Sequence, residues 1–135
     1  MEHSMKPGSL VMKKESSISS IGGFTLFEVI IVITLLTLIS SIAFPLALNA
    51  IQRSKEASLK ATLMSTRIAL DDYYSDHGSY PDTLSLLVDS RYLRRLPYDP
   101  IEQTTQWDEQ YEEGIVDIHS SSRSISLDGS YYRDW

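Results

Sequence analysis

Apolar and polar positions are distributed unevenly along this chain. From Phe24 to Leu48 the sequence runs for 25 residues with a single charge, Glu28, while the segments on either side are polar. Sixteen of those 25 residues are Leu, Ile, Val or Phe. About 20 apolar residues cross a bilayer as a helix, so the run is long enough to span one. At about −0.3 to −0.6 kcal/mol each, these side chains together contribute roughly −5 to −10 kcal/mol toward insertion. An ionised Glu28 opposes this by about 3 kcal/mol at the bilayer centre and by less near an end. Insertion wins. The competing reading, a buried core helix of a soluble protein, does not need such length.

Beyond Leu48 the pattern predicts that the helix continues, so that one helix runs from about Phe24 to Asp76. At about 100° per residue, positions 49–76 sort into two apolar stripes. Ala50, Ala57, Ala61, Met64 and Ile68 share one face, and Leu59, Leu63, Leu70 and Tyr74 another. A helix on the surface of a monomer needs one buried stripe. Two stripes predict two partners, the chain's own head and neighbouring subunits; a helix sunk more deeply into one core is the alternative. Glu56 with Lys60 and Arg67 with Asp71 are spaced as i,i+4 ion pairs.

His77-Gly78-Ser79-Tyr80-Pro81 breaks the helix, because Pro81 pushes Tyr80 out of the α region. Asp82 is placed to cap a short helix over about Thr83 to Val88. Leu96-Pro97-Tyr98-Asp99-Pro100 reads as a stiff connector. Two short strands are predicted near Gln106–Tyr111 and Ile115–His119, separated by acidic residues and Gly114. Ser120–Ser124 and Asp128-Gly129 read as loop and turn. The pattern is α+β: a long N-terminal helix with a membrane half and an amphipathic half, packed on a small head with a short antiparallel sheet.

Composition narrows the function classes. The chain has 135 residues and no cysteine, which removes disulfides, thiolate metal sites and a cysteine nucleophile. Its formal charge is −6, with no basic excess to neutralise phosphates, so nucleic acid is not an expected partner. His77 beside Asp76 and His119 near Asp117 sit in no Ser-His-acid motif, and no enzyme is expected. Orientation does not follow from charge: Lys6, Lys13 and Lys14 precede the apolar run, but Arg53, Lys55 and Lys60 follow it closely. An ordinary secretory signal ending at Ser41-Ile42-Ala43 is a rival reading, opposed by Glu28 within its apolar core.

The residues around the start of the run are distinctive: Gly22-Gly23-Phe24-Thr25-Leu26-Phe27-Glu28. Here the chain resembles the type IV pilin superfamily, whose leaders end in Gly and precede an aromatic-led apolar helix with Glu at its fifth position. After Asp72 it is similar to the major pseudopilins of type II secretion. The matching pieces are Tyr73-Tyr74, Gly78-Ser79-Tyr80-Pro81, Leu84, Leu87, Leu96-Pro97-Tyr98-Asp99-Pro100, Trp107, Asp128-Gly129 and Trp135, in that order.

The resemblance implies four segments: a prepilin leader over 1–23, a membrane half over 24–48, an amphipathic half over 49–76, and a periplasmic α+β head over 77–135. It leaves the true start at Met1, Met5 or Met12. It implies cleavage between Gly23 and Phe24 by prepilin peptidase on the cytoplasmic side of the inner membrane, and N-methylation of Phe24. Glu28 would pair with the new Phe24 amine of a neighbouring subunit and set the register of assembly; an acid tolerated near the headgroups is the plainer reading. Pro45 lacks an N–H and is expected to kink the helix. The implied function is a subunit of a periplasmic filament, the pseudopilus, with a type IV pilus subunit or a bitopic protein with a binding head as alternatives. The implied partners are further copies of the chain, an inner-membrane platform protein, an assembly ATPase complex, minor pseudopilins and the lipid bilayer. Many major pseudopilins bind calcium in their C-terminal loop; Asp117, Asp128 and Asp134 are the candidate ligands, with solvated turn carboxylates as the alternative. The Gly-rich, Asp-dense loop usual in calcium-binding members is lacking.

Overall fold

A computed structural model describes Gly8 and residues 22–135. The expected leader over 1–23, its lysines and the three candidate starts therefore lie almost wholly outside the described residues. Two compact units divide the chain, one ending at Leu38 and the other running from Ile39 to Trp135.

Helix α1 spans Leu26–His77, 52 residues, one longer at its C-terminal end than the pattern predicts. Thr25 starts it: its hydroxyl accepts the Glu28 N–H at 3.1 Å and its carbonyl accepts the Val29 N–H at 3.2 Å. In the first unit the apolar side chains are exposed. The Thr34 and Thr37 hydroxyls donate to the Ile30 and Ile33 carbonyls, each at 2.7 Å. A hydroxyl satisfied on its own helix costs far less to place in hydrocarbon than a free one. α1 continues through Pro45 without interruption, so the proline does not end the helix where its missing N–H would favour a break. Gly78 ends it, at φ 73° and with its N–H donated to the Tyr74 carbonyl at 2.7 Å.

In the second unit Leu59, Leu63, Thr66, Ala69, Leu70 and Tyr73 form the buried ridge of α1. Steps of four and three residues link Leu59, Leu63, Thr66, Leu70 and Tyr73 along one face, with Ala69 beside them. Helix α2 (Leu84–Asp89) adds Leu84 and Leu87, and Trp107, Ile115, Ile118 and Tyr132 complete the core. Strand β1 (Asp108–Tyr111) pairs antiparallel with β2 (Ile115–His119), with Asp108 opposite His119 and an irregularity between Gln110 and Tyr111. β1 is exposed throughout, so the core side of the hairpin is β2. A short 3-10 turn, Tyr132–Asp134, closes the chain against that core.

Several local expectations need correction. Asp82 does not cap α2: the N-cap is Thr83, and the Asp82 carboxylate accepts the Tyr111 hydroxyl at 3.2 Å. β1 begins at Asp108, not Gln106, because Trp107 turns inward and its indole N–H donates to the Pro97 carbonyl at 3.0 Å. The i,i+4 pairs give way to longer-range partners. Arg67 Nε donates to Asp117 at 2.6 Å, and its Nη2 donates to the Ile118 and Trp135 carbonyl oxygens at 3.1 and 2.7 Å. Lys60 sits 4.2 Å from the Trp135 ring centroid, while Glu56 faces the C-terminal segment. A half-buried cation gains more from several fixed acceptors than from one exposed carboxylate on its own helix.

The hairpin is stitched to the chain after α1 at Gly114, where φ is +129° and a Cβ would lie 2.6 Å from the Tyr80 carbonyl oxygen. The next residue, Ile115, donates its N–H to the Pro81 carbonyl at 2.8 Å. Gly114→Ala is expected to cost about 1–3 kcal/mol through strain and this backbone clash. Urea unfolding of the full chain in detergent micelles, followed by tryptophan fluorescence, checks it; an unchanged midpoint would show that the hairpin can move away from Tyr80.

Candidate functional site

The start of α1 carries the first group of candidate residues. Gly22, Gly23 and Phe24 are exposed and precede the helix, and Phe24 is 81% exposed. Glu28 lies in the first turn, its backbone N–H held by Thr25. Phe24, Glu28, Val29, Val32 and Ile33 line one recess, so the acid and the aromatic ring share a side of the helix start. At that position the carboxylate faces the positive end of the helix dipole, worth about 0.3–1 kcal/mol. That is less than the roughly 3 kcal/mol an ionised acid costs deep in a bilayer. The most apolar 18-residue window of α1 has a mean hydropathy of 2.6 and none of it is buried. Such a helix fits a single-pass membrane protein.

Along its second half, α1 presents the two predicted stripes to different surroundings. Leu59, Leu63 and Leu70 are buried in the head, whereas Tyr74 is half exposed and stacks on Tyr80 at 4.6 Å between centroids. Ala50, Ala57, Ala61, Met64 and Ile68 are exposed, Met64 at 66%. This second stripe has no cover within the described residues.

The candidate calcium ligands are engaged separately. Asp117 accepts Arg67 Nε and the Ile118 N–H through Oδ1, and its Oδ2 lies 3.4 Å from His119 Nε2. Asp128 Oδ1 accepts the Ser126 hydroxyl, the Ser130 hydroxyl at 2.6 Å and the Ser130 N–H at 2.9 Å. Those hydrogen bonds, the Ser126 hydroxyl foremost, hold its carboxyl well below the usual carboxylate range. Asp134 is exposed and lies 3.8 Å from Arg133 Nε. Among the described residues no three His, Asp or Glu side chains converge where they could hold a metal ion. Asp117 and Asp128 each spend one carboxylate oxygen on protein donors, and the three candidates do not share a site.

Two histidines also have structural partners. His77 stacks on Tyr73 at 4.0 Å with its Nδ1 3.1 Å from the Tyr73 carbonyl, and His119 Nδ1 lies 3.1 Å from the Trp135 carbonyl.

Two polar centres, one buried at Asp99 and one part-buried around Tyr132, were not signalled by any local pattern. Asp99 is fully buried and accepts the Ile101 and Glu102 N–H groups at 2.7 and 3.1 Å and the Ser120 hydroxyl at 2.5 Å. It closes the Pro97–Pro100 connector and ties it to the loop after β2. Glu56 Oε1 accepts the Tyr132 hydroxyl at 2.7 Å and the Leu127 N–H at 2.8 Å, while Gln52 donates to the Tyr132 hydroxyl at 2.7 Å. Burial, then the Glu56 carboxylate, pushes the Tyr132 hydroxyl above its ordinary value. The dipeptide Asp-Pro after Tyr98 hinted at a turn; nothing in the spacing of Glu56 pointed to a tyrosine 76 residues away.

Relatives carry the geometry further. The chain is 30% identical over 123 residues to type II secretion system core protein G of Aeromonas hydrophila, covering 79% of this chain and 83% of that protein. It is 31% identical over 114 residues to the protein of the same name from Klebsiella pneumoniae, covering 73% and 81%. A third, from Pectobacterium carotovorum subsp. carotovorum, is 30% identical over 114 residues, covering 73% of each chain. No family model and no solved structure matches the chain. An exposed apolar helix half, the Gly23-Phe24 and Glu28 start, and relatives of one name over most of the chain converge: it belongs to the type II secretion system core protein G family, the major pseudopilins.

Proposed function

We propose that this protein is the repeating structural subunit of a periplasmic pseudopilus that drives protein export by type II secretion. One observation carries the reading: α1 leaves uncovered both its apolar first half and the Ala57–Ile68 stripe of its second half. Lipid can cover the first in a stored subunit, and neighbouring copies can cover both in a filament. The role is mechanical, and no catalytic residue is assigned.

The steps follow from the residues. Prepilin peptidase cuts between Gly23 and Phe24 on the cytoplasmic face, which fixes the N-terminus inside and the head in the periplasm. The freed Phe24 amine is methylated and keeps its positive charge. Glu28 then needs a cation, since the helix dipole alone offsets only part of its cost in an apolar setting. The Phe24 amine of the neighbouring subunit supplies it, and that pairing sets the register. Pro45 removes one donor from the ladder and lets the segment before it unwind when subunits leave the membrane. An assembly ATPase complex and a platform protein supply the work, and minor pseudopilins begin the filament. The C-terminal loop closes through Asp128, Ser126, Ser130 and Glu56 rather than through calcium.

The intact mass of the protein from cell membranes tests the processing step. With the peptidase present, the mass is expected to fall by residues 1–23 and rise by one methyl group; without it, neither change occurs. A full-length mass in both strains, or an N-terminus after Ala43, contradicts the reading. Glu28→Ala is expected to insert normally yet yield at least about tenfold less sheared filament, the loss of one buried charge pair. Glu28→Asp should recover part of that yield, and wild-type yield from the alanine variant would remove Glu28 from the register.

The loop has its own test. A calcium ion at a hundredfold excess over its dissociation constant would add about 2.7 kcal/mol, raising Tm by more than about 10 °C in a head of this size. Adding calcium or EDTA is expected to move Tm by less than about 1 °C. Because the Asp128 carboxyl titrates below its ordinary value when folded, its contribution is present above about pH 4 and fades as pH falls further. Asp128→Asn should therefore lower Tm at pH 7 and flatten the loss of stability in acid; an unchanged acid limb would count against the hydrogen-bonded turn.

A further inference from the structure

We propose that the C-terminal turn around Leu127 rests on the anionic headgroup layer of the same bilayer that holds α1, so that the head of a stored subunit lies against lipid. The proposal rests on the membrane reading above and adds a second lipid contact to it. Its starting point is an apolar cluster that the core does not use. Ile125, Leu127 and Tyr131 are 56%, 49% and 43% exposed. Ile125 and Tyr131 face each other across an antiparallel bridge, which sets their side chains next to one another.

Position selects the occupant. Gln52 and Glu56 hold the Tyr132 hydroxyl, and Glu56 also holds the Leu127 N–H. These anchors lie four and eight residues beyond Leu48, about 6 and 12 Å along the helix. The headgroup layer extends about 5–7 Å beyond the hydrocarbon on each side. The Tyr132 hydroxyl is thus held at the height of the headgroups, and the Leu127 N–H about 5–7 Å beyond them, a gap that the Leu127 side chain at the tip of the turn has to bridge. The apolar surface is also continuous with that run, since Leu48 and Ile51 are half exposed on α1 within the same compact unit.

Charge points the same way. Arg53 is exposed, Lys55 is partly so, and neither has an acidic partner among the described residues, while the Arg133 guanidinium lies 5.4 Å over the Tyr131 ring. Of the acids near the turn, Asp134 lies 3.8 Å from Arg133 Nε, and Glu56 and Asp128 keep their charge while each accepts protein hydrogens that hold the turn. The two unpaired helix cations, Arg53 and Lys55, beside apolar and aromatic side chains suit an anionic lipid surface, at about fivefold in local partitioning for each cation. The turn is also already ordered, with Ser126 and Ser130 bonded across it at 2.8 Å, so docking does not have to fix its backbone.

The chain has no cysteine, so single cysteines can carry an environment-sensitive fluorophore at Leu127, at Asp89 on the head and at Leu36 in the apolar run. The full chain is placed in vesicles of phosphatidylethanolamine and phosphatidylglycerol. With the Leu36 probe in the bilayer, the Leu127 probe is expected to be quenched by headgroup-labelled lipid about threefold or more above the Asp89 probe. A Tyr131 probe should behave as Leu127 does, which controls for the loss of one side chain. The excess should shrink in phosphatidylcholine vesicles and in the Arg53→Gln, Lys55→Gln double variant. Equal, water-like signals at Leu127 and Asp89 with Leu36 buried would overturn the docking and leave the membrane segment standing. A water-like Leu36 probe would overturn both. Protection of Leu127 that appears only at high protein-to-lipid ratio would assign the patch to a second copy and overturn the lipid contact.

Discussion

Everything in this molecule hangs on one continuous helix that has to suit two solvents. In its first half α1 meets hydrocarbon, where every backbone group must be bonded within the segment and any ionised side chain is costly. In its second half it supplies the ridge Leu59, Leu63, Thr66, Leu70 and Tyr73 on which the head is built. The same 52 residues therefore fix where the lipid ends and where the fold begins. Threonines in the apolar half bond back to their own helix, and the only acid there sits in the first turn, where the helix dipole helps it. These are the choices a helix must make to stay unbroken across such a boundary.

The head could not stand without that helix. A two-stranded sheet is marginal by itself in water, and β1 contributes no buried side chain. Its order comes from being tied to α1 at several heights. Arg67 gathers Asp117, the Ile118 carbonyl and Trp135; Lys60 lies over the Trp135 ring; Glu56 and Gln52 hold Tyr132 and Leu127. Polar side chains thus do at the edge of a small core what a larger apolar interior does in bigger domains. The loop after β2 is closed by serine hydroxyls and two carboxylates.

Features governed by local physics were legible in the sequence. The apolar run, the long helix, its stop at Gly78, the short helix with Leu84 and Leu87, and strand Ile115–His119 all follow from periodicity, proline and glycine. The motif Gly23-Phe24 with Glu28 stands out in the sequence because an acid in such a run is conspicuous. What escaped was pairing at a distance. Arg67 could have met Asp71 four residues on, but the fold offers it Asp117, 50 residues away. Asp82 had the right neighbours for a cap, yet Tyr111 from the hairpin claims it. Asp117, Asp128 and Asp134, grouped by spacing as candidate ligands, each have a separate protein partner. A carboxylate's role depends on which donors the chain folds toward it, and spacing carries little of that information.

The central claim is that the stripe of α1 left bare by the head is covered by other copies of the chain. Cysteine introduced at Ala61 reports on it directly, because the protein has no other thiol. Its modification by a soluble maleimide is measured for subunits dispersed in detergent and for sheared filaments of the same variant. The account predicts rapid labelling in the dispersed protein and strong protection in the filament. Equal labelling in both states would mean that the stripe faces water after assembly, and that these subunits are joined through some other surface.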